Sequence, residues 1–365
     1  MIYLIILFIM FILAFLNISD ERIFPKYEKI LLILLFIFLF IFAAFRYDTG
    51  YDFNSYKQIF DNLNFNKIFL TDIEIGFSTV VCCIKALGLG YQWLILLIAS
   101  ISLLFKYKAI EKYSIYPFVS LMIYFSSNFI IQDFGQMRQG LAVALALYSI
   151  QYIKDQKLIK FLSIIFIAIM FHYSAIVFVP LYWLSKLDLN LKAIISILGI
   201  SIALFIIMKT GIIEYILYNI IKSQFLINKY IAYTSKGGYL GFLKLTFIFR
   251  VGIFILFYLL KDKIKPNCKY YNVLATGYLL SIFMYIAFNS NVGLATRGSI
   301  YFKMLEIFII PQIIYAVKDK IIVFNLLFIF YLLTFKDLFF EVSSFKNNFI
   351  PYKSTIMEFL KYIFT

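Results

Sequence analysis

From Ile30 to Phe45 the chain carries an uninterrupted apolar run. A helix that is hydrophobic all round has no face to give to water, so it belongs in a large core or in a bilayer. The pattern recurs at about 2–17, 29–45, 91–106, 115–131, 138–153, 160–171, 173–185, 192–208, 240–260, 270–288, 298–316 and 321–335, with a shorter run at 75–89 that leads into Gly88 and Gly90. Charged residues make up 15% of the chain, against about 25% in soluble domains. A transmembrane β-barrel needs short strands of alternating polarity, and these runs are continuous. The chain therefore reads as an all-α, polytopic integral membrane protein, residues 1–365 forming one transmembrane domain. About twelve crossings are expected, within a range of about 11–14. Short runs on either side of His172 suggest helices that bend or re-enter, which is tolerated where they line a protein cavity.

The formal net charge of +15 comes almost wholly from lysine. Nucleic-acid binding is one reading of such a value, but lysines in short loops set membrane orientation and meet anionic lipid. Arg22, Lys26 and Lys29 mark a first cytoplasmic loop; Lys106, Lys108 and Lys112 a second; Lys154, Lys157 and Lys160 a third. Lys261, Lys263, Lys265 and Lys269 mark another, as do Lys318 and Lys320. For all of these to lie inside, 75–89 must be re-entrant or part of one long bent segment with 91–106. The outer face then receives loops at about 46–75 and 209–239, together with Gln132–Arg138, the His172 turn, Asn289–Arg297 and the tail from Lys336. The first apolar run has no basic start and no small-residue cleavage site, so it reads as a retained helix. Cys82, Cys83 and Cys268 have no metal-ligand spacing, and with a single histidine no metal centre is expected.

The polar residues that remain are few. The run Ile30–Phe45 ends in FRYDTGYDFNSY, where Arg46, Asp48 and Asp52 gather with Tyr47, Tyr51 and Tyr56. Five arginines stand among many lysines: Arg22, Arg46, Arg138, Arg250 and Arg297. A guanidinium fork grips phosphate in a bidentate way and stays charged. Arg46, Arg138 and Arg297 fall at predicted helix ends, where snorkelling to head groups is the plain alternative. Arg250 falls inside an apolar run, where a charge costs roughly 2.5–3.5 kcal/mol on insertion scales; the alternative there is a structural ion pair. Asp48 and Asp52 could orient or deprotonate a hydroxyl or simply sit solvated beside Arg46, with Asp133 a weaker candidate. His172, with Ser174 beside it, is either a core histidine or a base. Aromatics such as Tyr51, Trp93, Tyr173, Tyr182 and Trp183 could stack on sugars, although most Tyr and Phe in such a chain face lipid.

In order along the chain stand FRYDTGYDFNSY, MRQGLAVALALYSIQYI, IAIMFHYSAIVFVPLYWL, TRGSIYF and IPYKS. This order resembles the EpsG family of Wzy-type polysaccharide polymerases over roughly residues 40–355. The family pattern has an Arg, a Gly and an Asp-Tyr-like pair after the second helix, where this chain has Asp52-Phe53. It then has an Arg-Gln that opens a helix, a His-Ser-Ala at a helix junction and a late Arg before an aromatic-rich helix.

The resemblance implies a metal-independent, GT-C-like membrane glycosyltransferase without cofactors. It would join oligosaccharide repeat units carried on undecaprenyl diphosphate into capsule, O-antigen or exopolysaccharide, at the outer face of the bacterial inner membrane. Its partners would be the lipid-linked oligosaccharide and membrane lipids, with a chain-length regulator and a flippase as possible neighbours, and no nucleic acid. The expected catalytic residues are Asp52, His172 and Asp48. The expected substrate-binding residues are Arg46, Arg138, Gln139, Arg250 and Arg297, with Tyr51 and Tyr301. A flippase of lipid-linked sugars and an O-antigen ligase are the rival readings. A flippase is disfavoured by the absence of a visible repeat.

Overall fold

The first apolar runs fold into α1 (Ile2–Ile18) and α2 (Glu28–Ala44). On α1, Tyr3, Ile6, Leu7, Met10 and Ala14 are buried, while Ile5, Phe8, Ile9 and Ile12 are exposed. Both faces are apolar, so one packs on protein and the other has no water-compatible group to show. That is the surface of a helix bathed in lipid. In this computed structural model residues 2–19, 27–69, 71–234, 240–340 and 348–356 are described; Arg22 and Lys26 of the first basic loop lie outside them.

The chain continues with α3 (Phe53–Asn62), α4 (Ile75–Ala86), α5 (Tyr91–Tyr113) and α6 (Pro117–Tyr124), which runs directly into a π-helix, Phe125–Gly135. Next come α7 (Met137–Lys154) and α8 (Leu158–Phe171). A 3-10 turn over Tyr173–Phe178 and the short α9 (Leu181–Leu184) follow His172. Then α10 (Leu191–Lys209), α11 (Ile212–Tyr215) with a π-turn Ile216–Ile221, and α12 (Gln224–Thr234) lead to α13 (Leu245–Leu259) and α14 (Lys261–Ile264). The last elements are α15 (Tyr271–Ala287), α16 (Val292–Lys303), α17 (Glu306–Ala316) and α18 (Lys320–Phe340). Among the described residues there is no strand, only a single antiparallel bridge between Arg46 and Ser354. α7 is the central helix: it packs on α5, α8 and the π-helix, and Leu141 through Leu147 are all buried.

Among the described residues α5 and α10 are each long and apolar enough to cross a bilayer. α16 and α17 pass that test together, bent by 48° at Met304 and Leu305. Shorter apolar helices, including α1, α4, α8, α13 and α15, fall below it. The 17 residues of α1 rise only about 25 Å, against a hydrocarbon core of about 30 Å. Among the described residues the protein is thus all-helical and of membrane type.

Three sequence expectations change. The run 75–89 does not continue into 91–106: α4 stops at Ala86, the backbone turns left-handed at Gly88 (φ +70°), and α5 starts afresh at Tyr91. The expected loop 209–239 holds α11, α12 and a π-turn, with 235–239 outside the described residues. Lys106 is not a loop lysine. It lies inside α5, wholly buried, and its ammonium meets Asp133 of the π-helix at 2.7 Å. Ser102 and Tyr124 also donate to Asp133. A carboxylate in the bundle interior needs such donors, which is why this lysine points inward while Lys108 does not.

The segment 348–356 returns to the end of α2. The Tyr47 N–H donates to the Lys353 carbonyl at 3.0 Å, the Gly50 N–H to the Asn348 carbonyl at 2.9 Å, and the Thr355 N–H to the Phe45 carbonyl at 2.9 Å. Gly50 has φ +122°, and a Cβ there would stand 2.6 Å from the Phe134 carbonyl oxygen, so only glycine fits this crossing.

Candidate functional site

α7 opens on Met137, directly after the π-helix, and its first turn sends two adjacent side chains in different directions. The Arg138 guanidinium donates to the Glu74 carboxylate. It also lies over the Tyr56 and Phe77 rings, 5.5 Å from each centroid. The Gln139 amide instead donates to the Arg297 carbonyl of α16 at 3.1 Å and to the Ser174 hydroxyl at 3.4 Å. One helix end therefore ties together α3, α4, α16 and the turn after α8.

Glu74 immediately precedes α4 and is 4% exposed. Its second carboxylate oxygen accepts the Tyr173 N–H at 3.4 Å. This reach depends on Gly76, where a Cβ would lie 2.8 Å from both the Met170 carbonyl oxygen and the Met170 Cβ, so α4 approaches α8 more closely than any side chain allows. Sequence reasoning missed Glu74. Its one signal was position, an acid two residues after Asp72 at the start of a short apolar run, and nothing local tied it to an arginine sixty-odd residues on.

α8 ends at Phe171 because His172 leaves the helix with extended backbone, φ −156° and ψ 115°. The 3-10 turn that follows folds Ser174 back, and His172 Nδ1 and Ser174 Oγ are 2.6 Å apart. Ser174 Oγ is in turn 3.0 Å from the Tyr301 hydroxyl on α16. His172 is 8% exposed, Tyr301 fully buried. Arg138, Gln139, His172 and Tyr301 thus share one polar network with Glu74, Tyr173 and Ser174.

Beside it lies an apolar cavity of about 360 Å³, lined by Ile176, Val177, Phe225, Leu226, Met284 and Phe288 among others. Tyr173, Ser174 and Arg297 also line it and join it to the network. An arginine among the residues that line an apolar slot suits a molecule with an anionic head and a hydrocarbon tail.

The other expected site residues are placed differently. Asp48 pairs with Lys353 at 2.7 Å on the surface, both side chains partly exposed, so it helps hold the returning 348–356 segment. Asp52 precedes α3 without capping it, half-buried, within electrostatic reach of Tyr56 and Tyr91. Tyr51 is exposed. Arg46 is 1% exposed, donates to the Ala43 carbonyl at 2.7 Å and lies 5.4 Å over the Phe134 ring. Arg250 donates to the Ser281 carbonyl at 3.1 Å and covers the Tyr285 ring at 5.3 Å. Neither Arg46 nor Arg250 hydrogen-bonds to the Arg138–His172 network among the described residues. Among those residues no three His, Cys, Asp or Glu side chains gather as metal ligands.

A sequence model of the EpsG family matches residues 29–354, nearly nine-tenths of the chain, and spans every part of this network. The chain belongs to the EpsG family. It is a membrane protein of the polysaccharide-polymerase type. No curated protein and no solved structure matches the chain. In this EpsG-family chain the Arg-Gln pair, the His-x-Ser turn and the late Arg-Gly-Ser-Ile-Tyr stretch, remote in sequence, come together at one junction of helices.

Proposed function

We propose that this protein is a polysaccharide polymerase that transfers a growing glycan from undecaprenyl diphosphate onto a sugar hydroxyl of the next lipid-linked repeat unit, at the outer face of the bacterial inner membrane. The observation that carries this reading is the polar network Glu74–Arg138, His172–Ser174–Tyr301 opening beside an apolar cavity edged by Arg297. The lipid tail takes the cavity and the diphosphate meets the arginines.

In the step itself the acceptor hydroxyl oxygen attacks the anomeric carbon of the donor sugar. The bond from that carbon to the diphosphate oxygen breaks, and undecaprenyl diphosphate leaves with the electron pair. Arg138 and Arg297 stabilise the charge that develops on it, in a site where fixed donors are worth more than in water. Glu74 holds Arg138 in place, with Tyr56 and Phe77 bracing its guanidinium. The hydroxyl proton goes to a base. His172 is the base this geometry supports best, because Ser174 orients its ring within the network; Asp52 is the second candidate. Arginine forks rather than a metal meet the leaving group in this reading. It carries with it about twelve crossings and a GT-C-like organisation, with both termini outside. A flippase would supply the lipid-linked units, and a chain-length regulator would set product size.

Deletion of the gene, followed by gel analysis of surface glycan and of lipid-linked intermediates, tests the reading. Single repeat units should remain on lipid at the outer leaflet and long chains should vanish. Repeat units trapped in the inner leaflet would favour a flippase, and free long polymer not joined to its final anchor would favour a ligase.

A further inference from the structure

Helix α16 has a second polar side. Arg297 and Tyr301 belong to the site above, whereas Lys303, two residues past Tyr301, lines a different cavity of about 170 Å³. This cavity sits at the bend between α16 and α17, and the π-helix, α13 and α18 complete it. Glu306, Tyr331 and the hydroxyls of Ser126, Ser127, Thr246 and Thr334 line it. Phe249 and Phe330 form an aromatic wall, their rings stacked 3.5 Å apart.

Two groups here lack a hydrogen-bond partner within the protein. Glu306 is 2% exposed; one carboxylate oxygen accepts from Tyr278 at 3.3 Å, but the other receives no hydrogen bond and has only the Lys303 ammonium 4.0 Å away. The Tyr331 hydroxyl, equally buried, is also unpartnered. A buried polar group left unsatisfied is costly, so a cavity that keeps two beside an ammonium suits something polar, although Ser126, Ser127 and Thr334 already donate to backbone carbonyls. The Lys303 side chain is 28% exposed and Thr246 is exposed, so the cavity is open from outside the bundle.

The lining narrows the ligand. A hydrocarbon tail would leave the carboxylate and ammonium unpaired. A diphosphate would meet Glu306 at close range, and a metal ion would meet Lys303 beside the same oxygen. A sugar ring suits it: each hydroxyl donates and accepts, so the Glu306 oxygen, the Lys303 ammonium and the Tyr331 hydroxyl find partners, and the C–H face lies on aromatic carbon. We infer that this cavity is a saccharide subsite that holds one sugar ring of the acceptor chain, across α16 from the donor diphosphate. The inference rests on the polymerase reading.

The test uses the full-length protein in lipid nanodiscs and two probes by titration calorimetry. One is a lipid-free, diphosphate-free oligosaccharide of one or two repeat units, cut from the host's own surface polysaccharide. The other is undecaprenyl diphosphate alone. Wild type should bind both. Glu306→Gln should weaken the oligosaccharide tenfold or more and leave the lipid diphosphate unchanged, and Ser127→Leu, which fills the cavity, should abolish oligosaccharide binding. Arg297→Ala should do the reverse. Lys303→Gln serves as a further variant should Glu306→Gln fail to accumulate. Oligosaccharide binding unaltered in the cavity variants would overturn the subsite and leave a hydrated ion-pair cluster. If wild type binds the lipid diphosphate but no oligosaccharide, the subsite falls while the polymerase reading stands. If it binds neither, both fall.

Discussion

Arg138 contacts a carboxylate and two aromatic faces at once. Such an environment uses the planarity of guanidinium as well as its charge. Arg138→Lys should therefore lose most long polymer in cells while the protein still accumulates in the membrane, and Glu74→Gln should lower polymer less, because Tyr56 and Phe77 still hold the arginine. Unchanged glycan length in Arg138→Lys would reduce its role to charge alone. His172 and Asp52 can be separated in purified protein supplied with lipid-linked repeats. Loss of a general base costs about 10²–10⁴-fold in rate, so His172→Ala should fall by that order and Asp52→Asn should keep most turnover. The opposite pattern would make Asp52 the base and His172 a positioning residue for Ser174. Asp48 bonds Lys353 instead of any site group, and Asp48→Asn should have the mildest effect of the three.

At the level of helices, the site depends on how closely elements can approach. Gly76 lets α4 lie against the end of α8, and an added methyl would meet Met170 backbone at 2.8 Å. Gly76→Ala should shift Glu74 away from Arg138 and Tyr173. The outcome to look for is reduced polymer with the thermal unfolding midpoint lowered by only a few degrees; normal polymer would show that α4 can move without cost to the site. The Lys106–Asp133 pair joins α5 to the π-helix with both side chains buried. Removing one partner of a buried pair costs about 3–5 kcal/mol, while replacing both with apolar residues is often neutral. Asp133→Leu should thus accumulate poorly, and Lys106→Met with Asp133→Leu should recover. If the double variant accumulates but makes no polymer, the pair has a part in function beyond holding these helices together.

For the whole molecule the open question is which ends of the helices face out. In a background without Cys82, Cys83 and Cys268, a membrane-impermeant thiol reagent applied to intact cells should label cysteine placed at the exposed Asn62 and should miss it at the exposed Lys263. Asn62 ends α3, the helix whose Tyr56 ring lies beside Arg138. Labelling at Lys263 from outside would invert the bundle and move the proposed site to the cytoplasmic face.

Sequence by itself determined the class of the molecule. Continuous apolar runs belong in a large core or a bilayer, and the ordered Arg-Gln, His-x-Ser and late Arg motifs pointed to a family that the match over 29–354 shows. Residue chemistry also singled out Arg138, His172 and Arg297, because polar groups are rare enough in such a chain to stand out, while Gln139 and Tyr301 came with the family resemblance. What it could not determine was pairing. Whether a charge meets another charge, a carbonyl or water depends on distances between helices, and these are set by side-chain packing and glycine contacts remote in sequence. Asp48 and Arg46, neighbours of Asp52 in the chain, thus turn to Lys353 and to the Ala43 carbonyl. Glu74, without any motif, reaches Arg138. Lys106, counted among loop lysines, neutralises Asp133 in the interior. The paired helices α16 and α17 look like one apolar run in sequence; in the structure they bend by 48°, and the cavity around Glu306 lies at that bend.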